Sequence, residues 1–119
     1  MHLDLLKTSN VKPSFTEASA CLHLVVEGDL KSTTIDAMRR DIGFILKHEY
    51  VSLLKIAVLE LDISSAITVD SLGLNLVLSV LKWANNSGAE ARVIVGMRSL
   101  YEMMVAIGLD KHAKLVYRG

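Results

Sequence analysis

The chain has 119 residues, of which 51% are hydrophobic and 22% are charged, enough to build one core, so we expect residues 1–119 to form a single domain. Its 13 basic and 13 acidic residues give a formal net charge of zero, which argues against direct binding of nucleic acid. No apolar run approaches the roughly 18 residues that a membrane span needs, and the first residues, MHLDLLKT, do not resemble a secretory signal. With a single cysteine, this predicts a cytoplasmic protein without membrane insertion.

Two strands are predicted in the first quarter of the chain. Residues 2–7 partly alternate between apolar and polar side chains, and residues 20–26 are rich in apolar and β-branched ones. Between them, residues 8–10 (TSN) and the single proline, Pro13, predict a loop or hairpin. We therefore expect an antiparallel pair at the start of the fold.

Helical and strand patterns then alternate. Hydroxyl side chains at residues 32–34 precede an apolar stripe at helical spacing, which predicts a first helix to about Lys47. The apolar run at residues 53–63 predicts the central strand, and residues 71–87 a second helix closed by Gly88. The next predicted element is a strand at residues 91–95. A capping box from Ser99 to Glu102 then predicts the start of a third helix, which ends at Gly108 and is followed by a strand at residues 114–117.

This order of elements predicts an α/β fold. The sheet should be mixed and mostly parallel, with an antiparallel N-terminal strand pair, right-handed crossovers and helices packed against it. On the second helix, the core face is predicted to consist of Gly73, Val77, Val80 and Ala84.

The chain carries no recognised catalytic motif. It has no phosphate-binding loop, no dinucleotide-binding glycine motif and no nucleophile elbow. Its histidines lack the i, i+4 spacing of a helical zinc site, and Cys21, in an apolar strand, is expected to be a buried structural thiol. We therefore expect a protein that is not an enzyme and holds no cofactor and no metal.

Three segments resemble one family. Residues 59–74, LELDISSAITVDSLGL, are similar to the STAS domain of the bacterial anti-sigma factor antagonists, in which a strand ends in an L-D-[LIV]-S turn and a helix begins with D-S-x-G-L. Residues 27–34, EGDLKSTT, resemble the family's G-x-L-D-x-x-T segment before the first helix, and residues 107–111, IGLDK, its T-G-L-D-K stretch. These landmarks occur in the family's order and span most of the chain.

The resemblance implies a STAS-like domain that regulates transcription by partner switching in cytoplasmic signal transduction. It assigns phosphorylation to Ser71, by a partner that is both anti-sigma factor and serine kinase, and implies a cognate phosphatase. Asp70 and Gly73 form the environment of that serine. Without the resemblance, Asp70 and Ser71 are also good helix-capping residues. The alternative function is a non-catalytic scaffold or accessory subunit of a transporter or signalling assembly.

Two positions depart from the family pattern. Leu72 stands where the family is often small, and Lys31 replaces an acid common before the first helix. If the two loops adjoin, Lys31 should lie near Ser71 and pair with a phosphate, while Asp29 partly restores the missing acid. The second helix has two apolar shoulders, one with Leu72 and Leu76 and the other with Leu74. These residues should bind the partner, unless neighbouring helices cover the shoulder on which they lie.

Overall fold

A computed structural model describes Thr8 and residues 10–119 of the chain. Its five strands form one sheet in chain order: β1 (Val11–Thr16), β2 (Cys21–Val26), β3 (Val58–Ile63), β4 (Glu90–Val95) and β5 (Lys114–Tyr117). β1 is antiparallel to β2, and the other neighbours are parallel. The helices are α1 (Ile35–Leu46), α2 (Glu49–Ser52), α3 (Ser71–Asn86) and α4 (Arg98–Ala106), followed by a 3₁₀ turn at Leu109–Lys111. The predicted mixed sheet with an antiparallel opening pair is confirmed.

In the opening pair, β2 agrees with the strand predicted at residues 20–26, but its partner β1 consists of other residues than the sequence predicted. The strand predicted at residues 2–7 lies outside the described residues, and the prediction of a loop around Pro13 was wrong. Pro13 lies within β1, opposite Leu24 of β2. The reason is that β1 is the outer strand of the described sheet, and a proline is tolerated there because one side of the strand donates no ladder hydrogen bonds.

Two further local predictions were wrong in part. The central strand begins at Val58 rather than near residue 53, because the short helix α2 and a connecting segment occupy the residues before it. The His48 ring caps α2 by accepting from the Tyr50 amide at 3.1 Å. Val51 anchors this helix in the core at 1% exposure. A helix of one turn is too short to give a periodic pattern.

The capping box predicted at the start of α4 is absent. The N-cap is Met97 and the helix begins at Arg98, which places Ser99 inside the first turn. Glu102 instead accepts a hydrogen bond from the Arg98 side chain at 3.1 Å, an i, i+4 pair on the helix surface. The predicted end is confirmed, because Gly108 follows the helix in the left-handed region at φ 85°.

The two faces of the sheet differ sharply. One face is apolar and packs with α1, α3 and α4 in a single core, to which α3 contributes its predicted face of Gly73, Val77, Val80 and Ala84. On the other face, polar side chains stand side by side on neighbouring strands: His23, Glu60, Arg92 and Lys114. Within the described part of the chain, no helix is long and apolar enough to cross a membrane.

Candidate functional site

The sequence-predicted site residues meet where β2 and β3 end. The loop after β2 (residues 27–34) and the loop after β3 (residues 64–70) run alongside each other, and Leu30 forms a parallel bridge with Val69. The Leu30 amide donates to the Thr68 carbonyl at 3.0 Å, and the Asp70 amide donates to the Leu30 carbonyl at 3.0 Å. We call this pair of loops the loop junction. The two loops therefore adjoin, which is the condition under which Lys31 was expected to lie near Ser71.

Asp70 caps α3 and ties it to the other loop. One carboxylate oxygen accepts from the Gly73 amide at 2.9 Å, and the other accepts from the Ser32 amide at 2.8 Å. These amides, the Gly73 amide most of all, hold the pKa of Asp70 below its usual range because they stabilise the ionised form. The capping role that the sequence predicted is therefore present, with an added cross-loop bond.

Asp29 makes the reciprocal connection, which the sequence did not predict. Its Oδ1 accepts from the Ile67 amide at 2.8 Å and from the Thr68 amide at 3.1 Å. The Thr68 amide, followed by the Ile67 amide, lowers the pKa of Asp29. Each loop thus supplies one aspartate to the backbone of the other, and Asp29 serves the loop junction as a structural anchor.

Gly73 is required by close packing. A Cβ at this position would lie 2.0 Å from the carbonyl oxygen of Leu30 and 2.7 Å from its Cβ. The first turn of α3 therefore lies directly against the backbone of the loop after β2. The glycine of the D-S-x-G-L segment brings the two loops together, because any side chain would push them apart.

Ser65 is a further residue of the loop junction that the sequence analysis did not single out. Its hydroxyl donates to the Val26 carbonyl at 3.0 Å and accepts from the Gly28 amide at 3.1 Å. A serine in a polar loop gives no signal of such a role, since the partners lie more than 35 residues away. It closes the loop junction at the end of β2.

Ser71 and Lys31 lie at the same end of the sheet. Ser71 is the first residue of α3 and is exposed. Lys31 follows Leu30 in the bridged loop, and its ammonium lies 3.9 Å from the Asp29 carboxylate. The side chain of Lys31 is 43% exposed, so it is partly solvated and pairs weakly with Asp29 in this arrangement.

The three residues that were expected to bind the partner differ in their exposure to solvent. Leu72 is 45% exposed, and Leu74 is partly buried against the core. Leu76 is only 2% exposed and is a core residue, so placing it on a docking surface was wrong. Leu76 lies one turn after Leu72, where other parts of the fold cover the helix. A helical wheel shows only the direction of a side chain around the helix axis, so it cannot distinguish these two positions. The structure adds Ile67, which is 70% exposed in the loop before α3.

The two aspartates predict how acid affects stability. Because both folded-state pKa values are lowered, their contribution is present above the ordinary aspartate pKa near 4 and is lost as pH falls through the lowered values. The double variant Asp29→Asn, Asp70→Asn should therefore lose less stability than the wild type between about pH 5 and pH 2. Urea denaturation at each pH measures this. Asp110→Asn removes one carboxylate outside the loop junction, and an effect half as large as that of the double variant would attribute the difference to net charge alone.

The fold is that of solved structures of anti-sigma factor antagonists. A Thermotoga maritima protein assigned to this class matches with a TM-score of 0.70 and 14% identity, over 92% of this chain and 86% of that one. SpoIIAA in its unphosphorylated form matches with a TM-score of 0.63 and 11% identity, over 92% and 88%. A serine-to-glutamate variant of RsbS from Moorella thermoacetica matches with a TM-score of 0.66 and 14% identity, over 93% and 89%.

These likenesses show the class of fold. The chain has a STAS-like fold, similar to that of the anti-sigma factor antagonists, and the loop junction lies where the family-like D-S-x-G-L segment begins α3. Comparison of the sequence with protein-family models and with curated proteins gives no match. The fold that the resemblance implied is confirmed by structure rather than by sequence similarity.

Proposed function

We propose that this protein is a regulatory binding module that acts as an anti-sigma factor antagonist and is switched by phosphorylation of Ser71. The partner is an anti-sigma factor that is also a serine kinase, and a cognate phosphatase reverses the modification. The module acts by binding and is not itself an enzyme. The observation that carries the proposal is the exposed Ser71 at the start of α3, in a fold shared with anti-sigma factor antagonists.

The geometry around Ser71 suits a switch of partner binding rather than of folding. Asp70 already accepts from the Gly73 amide, so a phosphate on Ser71 would lie beside a carboxylate. The phosphate adds about 1.5 to 2 negative charges, and its repulsion by Asp70 offsets its attraction to the helix N-terminus. The modification therefore changes the stability of the domain little, and its main effect falls on a partner that must bury the charge.

Lys31 supports the same proposal. It lies in the loop that is bridged to Val69, and its partly exposed ammonium can leave Asp29 for a stronger anion. In the phosphorylated state, Lys31 would bind the phosphate and hold it at the loop junction. The phosphate would then stand at the rim of the docking surface instead of extending freely into solvent.

We place the docking surface around Leu72 and Ile67, with Leu74 at its edge. Leu72 and Ile67 are apolar and exposed; Leu72 is the second residue of α3, and Ile67 lies four residues before the helix begins. Burial of exposed apolar side chains by a partner favours association through the hydrophobic effect. An anion at their rim would have to be desolvated when the partner binds, which opposes binding in the phosphorylated state.

Leu72→Ser tests the docking surface directly. The substitution should leave the melting temperature within a few degrees of the wild type, since exposed changes cost about half a kcal/mol or less. It should weaken partner binding, as measured by calorimetry. Leu76→Ser is the matched control in the same helix: Leu76 is buried, so that variant should lose about 3 kcal/mol of folding stability. If Leu72→Ser unfolds as readily as Leu76→Ser, Leu72 belongs to the core and the proposed docking surface is wrong.

The function is tested by capture from the native cell. Wild-type protein and Ser71→Glu are used as bait, bound proteins are quantified by mass spectrometry, and the captured partner is purified and incubated with wild-type protein and ATP. The proposal expects a serine kinase that binds the wild type in preference to the variant and places phosphate on Ser71. A partner set made of transporter subunits, retained equally by both baits, would favour the scaffold alternative.

A further inference from the structure

The polar face of the sheet holds a cluster of groups that the proposed function does not use. Cys21 and His23 lie two residues apart on β2, so their side chains point to the same face. Glu60 of β3 is in register with His23. One ligand atom from each of these three residues lies within 4.8 Å of the other two.

The separations are close to those around a single metal ion. The Cys21 sulfur lies 3.8 Å from His23 Nδ1, and Nδ1 lies 3.0 Å from Glu60 Oε1. Ligand atoms about 2.0 to 2.3 Å from a tetrahedral metal are roughly 3.3 to 3.6 Å apart. Small side-chain rotations therefore bring all three atoms to coordination distance without moving the strands.

The surrounding hydrogen bonds orient these groups as in a metal site. Thr16 Oγ1 lies 2.9 Å from His23 Nε2, so it can accept a proton on Nε2 once Nδ1 has given up its own proton to bind a metal. Arg92 donates to the second carboxylate oxygen of Glu60 at 3.0 Å, which leaves Oε1 directed at His23. Positioning of the ligands by outer partners is characteristic of metal centres.

The charges of the cluster are mixed, because the Arg92 guanidinium pairs with the Glu60 carboxylate at 3.0 Å. Burial by itself raises the pKa of Glu60, but hydrogen bonds from His23 and Arg92 outweigh it and hold that pKa below its usual range. Burial, and then the charge of Glu60, raise the pKa of the Cys21 thiol. A thiol in this position is a poor nucleophile and is deprotonated when a metal ion compensates its charge.

We propose that Cys21, His23 and Glu60 bind one Zn²⁺ ion, with water completing the coordination. A thiolate, an imidazole nitrogen and a carboxylate are all ligands that zinc accepts. On binding, the sulfur–zinc bond replaces the sulfur–hydrogen bond and the thiol proton passes to water. The ring proton of His23 moves through water from Nδ1, where Glu60 accepts it, to Nε2, which frees the Nδ1 lone pair for zinc. The ion links β2 to β3 toward their N-terminal ends, whereas Ser71 follows the C-terminal end of β3. The proposal is therefore independent of the proposed switch.

The first test uses the untagged protein and Co²⁺ as a spectroscopic probe. The wild type should bind one Co²⁺ per chain and show a thiolate-to-cobalt charge-transfer band in the near ultraviolet. The band should disappear when one equivalent of Zn²⁺ is added. A cobalt complex without this band would exclude the Cys21 sulfur as a ligand and overturn the proposal, and this readout needs no substituted protein.

The second test compares zinc affinities by calorimetry. The variants Cys21→Ser and Glu60→Gln should each bind Zn²⁺ at least about tenfold more weakly than the wild type. Thr16→Val removes the hydroxyl that orients His23, and this variant should bind Zn²⁺ about tenfold more weakly. His112→Gln is the control, because His112 is exposed and far along the chain from the cluster, and its affinity should equal that of the wild type. Zinc should also raise the melting temperature of the wild type but not of Cys21→Ser. Equal affinities for wild type and Cys21→Ser would overturn the proposal.

Discussion

Gly73→Ala is expected to destabilise the domain by about 3 kcal/mol, near the upper end of what overpacking costs. The added Cβ would stand 2.0 Å from the Leu30 carbonyl oxygen, well inside van der Waals contact, and that oxygen already accepts from the Asp70 amide. Relief of the clash requires α3 to move away from the loop after β2, which strains the bonds that Asp70 makes. The melting temperature should fall by roughly 10 °C or more.

Gly43→Ala is the matched control for this prediction. Gly43 lies inside α1, and a Cβ there meets nothing within 4 Å. Alanine should therefore stabilise the helix by about 0.5 to 1 kcal/mol, since glycine loses more backbone entropy on folding. Chemical denaturation of both variants measures the contrast. If Gly73→Ala retained wild-type stability, the close approach of α3 to Leu30 would be contradicted.

Ser71→Glu is expected to weaken binding of the proposed partner by about tenfold or more, which corresponds to about 1.4 kcal/mol. Binding would bury the added carboxylate beside the apolar side chains of Leu72 and Ile67, and the water lost from it is not replaced. Ser71→Ala should bind like the wild type and resist inactivation by the kinase. Both variants should keep the wild-type melting temperature within a few degrees, because Ser71 is exposed.

Ser99→Glu controls for the added charge. Ser99 is also exposed and lies in the first turn of a helix, α4, so the substitution adds the same group in a similar local setting. Its partner affinity should equal that of the wild type. A Ser71→Glu variant that binds as tightly as Ser99→Glu would remove the switch and leave constitutive binding as the better explanation.

Most of the fold could be predicted from the periodicity of apolar residues and from the glycines that end helices. The limits of α1 and α3, the closing glycines at 88 and 108 and the last strand agree with the sequence within a residue or two, because long amphipathic helices and helix-ending glycines are local signals. The same local reasoning failed at Pro13 and at the capping box from Ser99 to Glu102. Pro13 is accommodated because of its strand's position at the edge of the sheet, and the start of α4 depended on residues outside the four-residue motif. A short window of sequence contains neither kind of information.

The sequence by itself determined the order of the elements from β2 onward apart from the short helix α2, the capping of α3 by Asp70 and the apolar face of α3. Only the tertiary structure decided that Asp29 anchors the opposite loop, that Leu76 is core while Leu72 is exposed, and why residue 73 is glycine. It also brought Glu60 beside His23, 37 residues away in the chain. The physical reason is register: parallel strands align residues that are distant in sequence, and neither their spacing nor their periodicity records which ones will meet.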